Sequence, residues 1–335
     1  MAENVDPEEV LARFEELSVL ESEFEDVELE ILRKSNALNV PLWKKRAEVI
    51  AKIPHFWTLV FEQAPPELDT FILPSDAKIF AEFFETLEVS RFEIDDPKGS
   101  PRSVSITLGF GDNEYFEDKV LHKKFWFRKS RDWEGLVSEP VKINWKKGKD
   151  PTGGLTDAAC KLAEARKKVA QSANGSSKSN ESDLPEYKKL ATMIEESTEA
   201  SQSFFAWFAF VSSYRWVSAE ESEQAAKEDA ERLEKLKRGE KVEEPEDEDD
   251  DPTDYQETEV FPQGDEIATL IAEDLWPSAI KYYKSSHEAD GDDLSEIDVE
   301  DMDEDEDESG DEIDIRGLVG KGRPGSPPAK KQRKA

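Results

Sequence analysis

Seventy-nine Asp and Glu side chains stand against 44 Lys and Arg in the 335 residues, a formal net charge of −35, so any chemistry must start from carboxylates. General acid–base catalysis needs two carboxylates held in different environments, and no spacing singles out such a pair. Three scattered histidines (His55, His122, His287) and one cysteine, Cys160, supply neither a Cys/His metal cluster nor a disulfide framework. His55 lies between Pro54 and an aromatic pair, the setting of a packed or surface histidine. Gly109-Phe110-Gly111 lacks the third glycine of a dinucleotide loop and reads as a hairpin turn. Asp305, Asp307 and Ser309-Gly310 imitate the start of a calcium loop, but Arg316 falls where the bidentate glutamate is needed. Asn174-Gly175-Ser176 and Asn180-Glu181-Ser182 match glycosylation acceptors, with no secretory leader to give them meaning. The residue types predict a binding protein, not an enzyme, with no cofactor and no metal.

The charge itself is the second signal. Residues 288–314 carry 17 acidic side chains and no basic one, and residues 315–335 carry 7 Lys and Arg and no acid. Setting both aside leaves −25 on residues 1–287, so the body is acidic as well. A further block, 240–259, holds 12 acids and one Lys. Such blocks repel themselves and cannot bury apolar surface, which predicts disorder. A polyanion of this kind disfavours bare nucleic acid, itself a dense polyanion, and fits a strongly basic protein. No apolar run reaches the length of a membrane span. The terminal Lys330, Lys331, Arg333 and Lys334 form a short basic patch of nuclear-localisation type, implying an import receptor as partner. Ser326-Pro327 beside it suits a proline-directed kinase.

These groups need elements to hold them. Val10, Leu17, Phe24, Ile31 and Leu38 repeat every seven residues, flanked by Phe14, Leu20, Val27 and Leu42, with Asp6-Pro7-Glu8-Glu9 as a helix start. The repeat predicts a helix over 7–40 that pairs with a second copy, although Glu21, Glu28 and Ser35 interrupt the second core position. Pro41 is expected to bend or break it, with the pattern resuming through Trp43, Ala47, Ile50 and Ile53. A helix is expected over Asp76–Leu87, followed by four alternating runs at Val89–Ile94, Val104–Phe110, Val120–Arg128 and Val141–Trp145. Ser105, Thr107 and Gly109 alternate with Ile106, Leu108 and Phe110, predicting one buried and one solvated sheet face. The core is expected to close with Phe204–Phe208, then Ile267, Leu270, Ile271, Leu275, Trp276, Ile280, Tyr282 and Tyr283, around a charged helix near 218–238. The sum is an α+β domain bearing a long helix.

Five ordered strings carry a resemblance. They are Pro41–Trp57 at the end of the long helix, Asn113–Leu121, Ile143–Asp150, Ser203–Phe208, and Glu273–Pro277 with Tyr282-Tyr283. In this order they resemble the nucleosome assembly protein family, in its SET/template-activating-factor branch, from about residue 7 to 284. The resemblance implies a homodimer joined through the long helix, each subunit carrying an "earmuff" α+β domain with a four-stranded antiparallel sheet and a disordered acidic tail. It divides the chain into a dimerisation helix over 1–53, an earmuff over 54–284 and a tail over 285–335, and composition predicts flexible segments within the earmuff at about 161–183 and 211–260. It implies binding of core histones, H3–H4 and H2A–H2B, and a nuclear site with shuttling to the cytoplasm. Asp265 and Glu266 match acidic histone-binding positions of the branch. Glu273, Asp274, Asp249, Asp250, Glu300, Asp301 and Asp303 extend the expected acidic surface. Where the branch carries Thr-Trp-Phe-Thr-Asp, this chain has Ala206-Trp-Phe-Ala-Phe210, so a hydroxyl pair and a carboxylate are missing. The competing reading is an acidic scaffold that inhibits or recruits a phosphatase or a histone acetyltransferase.

Overall fold

The computed structural model describes residues 7–172, 181–196, 203–212, 214–240 and 258–289, all within the unit Met1–Asp292. Helix α1 spans Pro7–Ile50, 44 residues with Pro41 inside, and at 1.5 Å per residue is about 66 Å long. Pro41 does not break it. A mid-helix proline removes one hydrogen bond and costs about 3 kcal/mol, but the turns beyond it are anchored. Ile50 is buried, Trp43 meets Trp276 edge-on at 6.2 Å, and Arg46 Nη1 donates to the Trp276 carbonyl at 2.6 Å.

Three helices follow, α2 Phe56–Glu62, α3 Pro66–Asp69 and α4 Pro74–Phe83. The sheet then runs β1 Phe84–Ser90, β2 Val104–Phe110, β3 Val120–Lys129 and β4 Glu134–Ser138, an antiparallel meander in sequence order. The second strand falls on its expected residues; the first and fourth do not. The expected helix over Asp76–Leu87 stops at Phe83: from Phe84 the chain pairs with β2, Phe84 opposite Phe110 and Leu87 opposite Leu108. A bulge between Phe84 and Thr86 lets both side chains face the core. Val141–Trp145 is not the fourth strand. Its backbone is held elsewhere, Val141 N–H by the Phe208 carbonyl at 2.7 Å and Trp145 by a single bridge to Phe116. Glu134–Ser138 pairs with β3 in its place.

Strand β2 also departs from the expected two-faced pattern. Six of its seven residues are buried, Ser105 among them at 3% exposure, with its Oγ 2.8 Å from that of Ser90. Gly109 is needed there, because a Cβ would lie 2.1 Å from Thr86 Oγ1. After the sheet come α5 Leu155–Ser172, α6 Pro185–Glu196, a 3-10 turn Phe204–Phe208 and α7 Ala219–Lys237. The chain then forms α8 Gly264–Leu270, one π-helical turn Ile271–Leu275 and α9 Ala279–Ala289. Helix α5 thus occupies the first part of the segment expected to be flexible over 161–183.

The core is aromatic. Phe61, Phe80, Phe84, Phe110, Phe204 and Phe205 form one contiguous ring network, and Trp57 stacks on Trp276 at 5.4 Å. Ile280, expected inside it, is 51% exposed because Ala279 takes the inward position on α9. No described helix is long and apolar enough to cross a membrane.

Candidate functional site: an acid-rimmed hollow on the α3–α8 face

Helix α8 begins at Gly264, and no larger residue fits there. A Cβ would meet Val211 Cβ at 2.5 Å, and the Gly264 carbonyl accepts the Trp207 indole N–H at 2.7 Å. This close packing fixes the first turn, which carries Asp265 and Glu266, where acids also oppose the helix dipole favourably. Glu266 is exposed and Asp265 half-buried. Burial raises the Asp265 carboxyl, and burial together with Asp265 raises Glu259. Both stand without a cation among the causes of their shifts.

Asp274 and Glu273 follow on the π-helical turn, whose wider ring closes Trp276 N–H onto the Ile271 carbonyl at 2.9 Å. Asp274 accepts the Tyr282 hydroxyl at 2.6 Å, and burial with that bond pushes Tyr282 up to about 12. Glu273 turns away and takes Arg91 Nη2 at 3.0 Å. Across from α8, Glu67 of α3 joins Glu266 and Asp274 around a hollow of about 800 Å³ floored by Phe71, Ile267 and Leu270. Among the described residues no basic side chain lines it. Of the expected site residues the structure therefore brings Glu266 and Asp274 to one hollow, sets Asp265 beside them, and diverts Glu273 to an ion pair. Asp249, Asp250, Glu300, Asp301, Asp303 and the basic Lys330, Lys331, Arg333 and Lys334 lie outside the described residues. Glu67 was not foreseen, since only tertiary packing carries α3 to α8.

The replaced positions have a different environment from the one feared. Ala206 and Ala209 are fully buried and Phe210 is 3% exposed, so apolar residues there fill a core and strip no acid from the surface. Opposite them lies a residue that had gone unremarked. Lys123 on β3 is fully buried, its Nζ donating to the Ala209 carbonyl at 2.6 Å and the Glu139 carbonyl at 3.4 Å. Burial drives its pKa well below the ordinary lysine value. Its alternation with Leu121 and Phe125 was the sequence signal that it points inward.

The seam residues of α1 tell the opposite story. Val10, Leu17, Phe24, Ile31 and Leu38 are all exposed, Phe24 at 69% and Leu38 at 67%, with Phe14, Leu20, Val27 and Leu42 beside them. An apolar stripe of that length is unusual on a solitary chain. Helix α7 packs along part of α1, where Lys237 Nζ lies 3.5 Å from Glu23.

The sequence profile described as nucleosome assembly protein matches residues 18–286, most of the chain. The protein belongs to the nucleosome assembly protein family. A Schizosaccharomyces pombe relative, whose name places it among nucleosome assembly proteins, is 38% identical over 152 residues, covering 42% of this chain and 60% of that one. NAP1-related protein 2 of Arabidopsis thaliana is 28% identical over 290 residues, 84% of this chain and 80% of that one. The crystal structure of Vps75 shares the fold at TM-score 0.50 and 22% identity, over 82% of this chain and 98% of that one.

Proposed function

We propose that the protein is a non-catalytic histone chaperone that holds H3–H4 or H2A–H2B through the acid-rimmed hollow and its acidic tail. The observation that carries this reading is the convergence of Glu67, Glu266 and Asp274 on an apolar floor with no lining cation among the described residues. An apolar floor with an anionic rim suits the amphipathic, basic surface of a core histone. Charge then steers the encounter and sets a steep salt dependence, while the protein screens histones from premature contact with DNA. In this reading residues 1–53 form the dimerisation helix, 54–284 the histone-binding domain and 285–335 the tail. The basic patch Lys330, Lys331, Arg333 and Lys334 directs the protein to the nucleus.

A salt-titrated binding assay against separate H3–H4 and H2A–H2B complexes tests the proposal. Neutralising Glu67, Glu266 and Asp274 to Gln, Gln and Asn should weaken binding by about tenfold, the equivalent of 1.4 kcal/mol. Deleting 288–314 should weaken it again and flatten the salt dependence. Unchanged affinity in both variants at physiological salt sinks the reading. For the dimer, replacing Leu17, Phe24 and Ile31 by Glu should give monomers by light scattering, with the domain's melting curve retained. A persistent dimer would place the seam elsewhere.

A further inference from the structure

Strand β1 is the outer strand of the sheet, pairing with β2 on one side and with no other described strand. Its open side faces a groove of about 760 Å³ whose opposite wall is the last turns of α1, from Val40 to Ala51. Every residue from Phe84 to Ser90 lines that groove, which makes it as long as the strand itself. An uncovered strand edge presents unpaired backbone N–H and C=O groups, and proteins normally blunt or cover such an edge. Here the helix stands off and leaves a slot.

The helix side of the slot carries the second observation. Arg46 Nη2 and Trp276 Nε1 are both buried and both lack an acceptor, although Arg46 Nη1 is fully engaged with the Trp276 carbonyl. Trp276 is 6% exposed. A buried donor without a partner costs roughly 1–3 kcal/mol, so the Arg46–Trp276 wall holds hydrogen-bonding capacity just beneath the groove surface. Glu82, Glu85 and Glu88 line the strand side, all exposed and none in an ion pair among the described residues, against Lys44 on the helix side. Trp43, Trp57 and Val89 supply apolar wall between them.

We propose that this groove takes an extended, lysine- or arginine-bearing segment of a partner protein, which adds to β1 as a fifth, edge strand. One edge of the added strand pairs with the β1 backbone, and its other edge faces the α1 wall of Trp43, Lys44 and Ala47. Its basic side chains meet Glu82, Glu85 and Glu88, and the alternating side chains pack on the tryptophans. Main-chain pairing supplies affinity and the alternate side chains supply selectivity, as in other cases of strand addition. The groove is distinct from the α3–α8 hollow, so the proposal stands apart from the histone reading.

The test uses the full-length protein and a fluorescein-labelled synthetic peptide of alternating lysine and valine. Binding is read by anisotropy and by hydrogen exchange of the β1 amides. Strand addition predicts slowed exchange at those amides of residues 85–90 that do not bond β2, and about tenfold weaker binding when alternate peptide amides are N-methylated. Glu85→Lys with Glu88→Lys should weaken the unmethylated peptide while leaving the melting curve unchanged. Equal affinity for the methylated peptide, with β1 exchange unaltered, would show charge attraction alone and overturn the proposal. Slow exchange, before any peptide is added, at the β1 amides that do not bond β2 also overturns it, because a second copy would then already fill the groove. Histone-pair binding by the same protein, measured separately, reports on the α3–α8 hollow and not on this groove.

Discussion

Two sets of carboxylates in this protein differ in what surrounds them, and the difference sorts structural acids from available ones. Asp76 and Glu93 are buried and saturated. Asp76 accepts the Phe204 N–H at 2.8 Å, the Ser203 hydroxyl at 2.9 Å and the Leu73 N–H at 3.3 Å. Glu93 takes both terminal nitrogens of Arg128 at 2.9 Å and the Ser103 hydroxyl at 2.6 Å. Glu67, Glu266 and Asp274 instead stand around an open hollow with no cation lining it among the described residues, Asp274 being engaged by the Tyr282 hydroxyl at one oxygen. In a chain of net charge −35, acidity alone says nothing about role. Unspent hydrogen-bonding capacity does.

The largest effect should come from Glu93→Ala, which leaves the Arg128 guanidinium buried at 5% side-chain exposure without its carboxylate. Breaking such a pair costs about 3–5 kcal/mol, and urea denaturation measures it. A loss below about 1 kcal/mol, the value of an exposed pair, would break the distinction drawn here. Burial opposes ionisation of Glu93, but Arg128, Ser103 and the Ser100 amide hold its carboxyl below the usual range. Its contribution is therefore complete above the unfolded carboxylate pKa and lost as the pH falls through the lowered folded value.

Asp76→Ala comes next. It removes the acceptor that ties α4 to the 3-10 turn Phe204–Phe208, at a cost of about 2 kcal/mol by thermal or chemical melting. Hydrogen exchange at Phe204 should rise with it, and unchanged protection there would deny Asp76 its role as a tether. Asp265→Asn should have the smallest effect and the opposite sign. Burial raises Asp265, and Asp265 helps raise Glu259, so the folded state takes up protons more readily than the unfolded one. Stability then falls as the pH rises through these raised values. The Asn variant should melt higher at pH 7, and its advantage should shrink as the pH drops and Asp265 protonates. A destabilised variant at neutral pH would place Asp265 among the structural acids.

Much of the architecture was legible in residue order. The heptad stripe marked α1, the Val104–Phe110 alternation gave β2, and the charged run near 218–238 gave α7. The failures share a physical cause. Phe84 and Leu87 keep a helical spacing of three, and only pairing with Phe110 and Leu108 through a bulge at Phe84–Thr86 turns both inward from a strand. Glu134–Ser138 carries a glycine and two polar residues, yet β3 recruits it, whereas the better-looking Val141–Trp145 is claimed by Phe208 and Phe116. Pro41 obeys its local preference only where packing does not overrule it, and Trp43, Arg46 and Ile50 overrule it here.

The sequence by itself determined the charge, its division among body, insert and tail, and an apolar stripe repeating every seven residues from Val10 to Leu38. These are sums and periods along the chain, and no fold can alter them. Tertiary structure decided which acids are spent. Burial and hydrogen-bond partners come from residues far apart in sequence: Phe204 for Asp76, Arg128 for Glu93, and α3 for the rim that Glu266 and Asp274 share. The same is true of the open edge of β1, whose strand is read locally but whose exposure depends on where α1 ends.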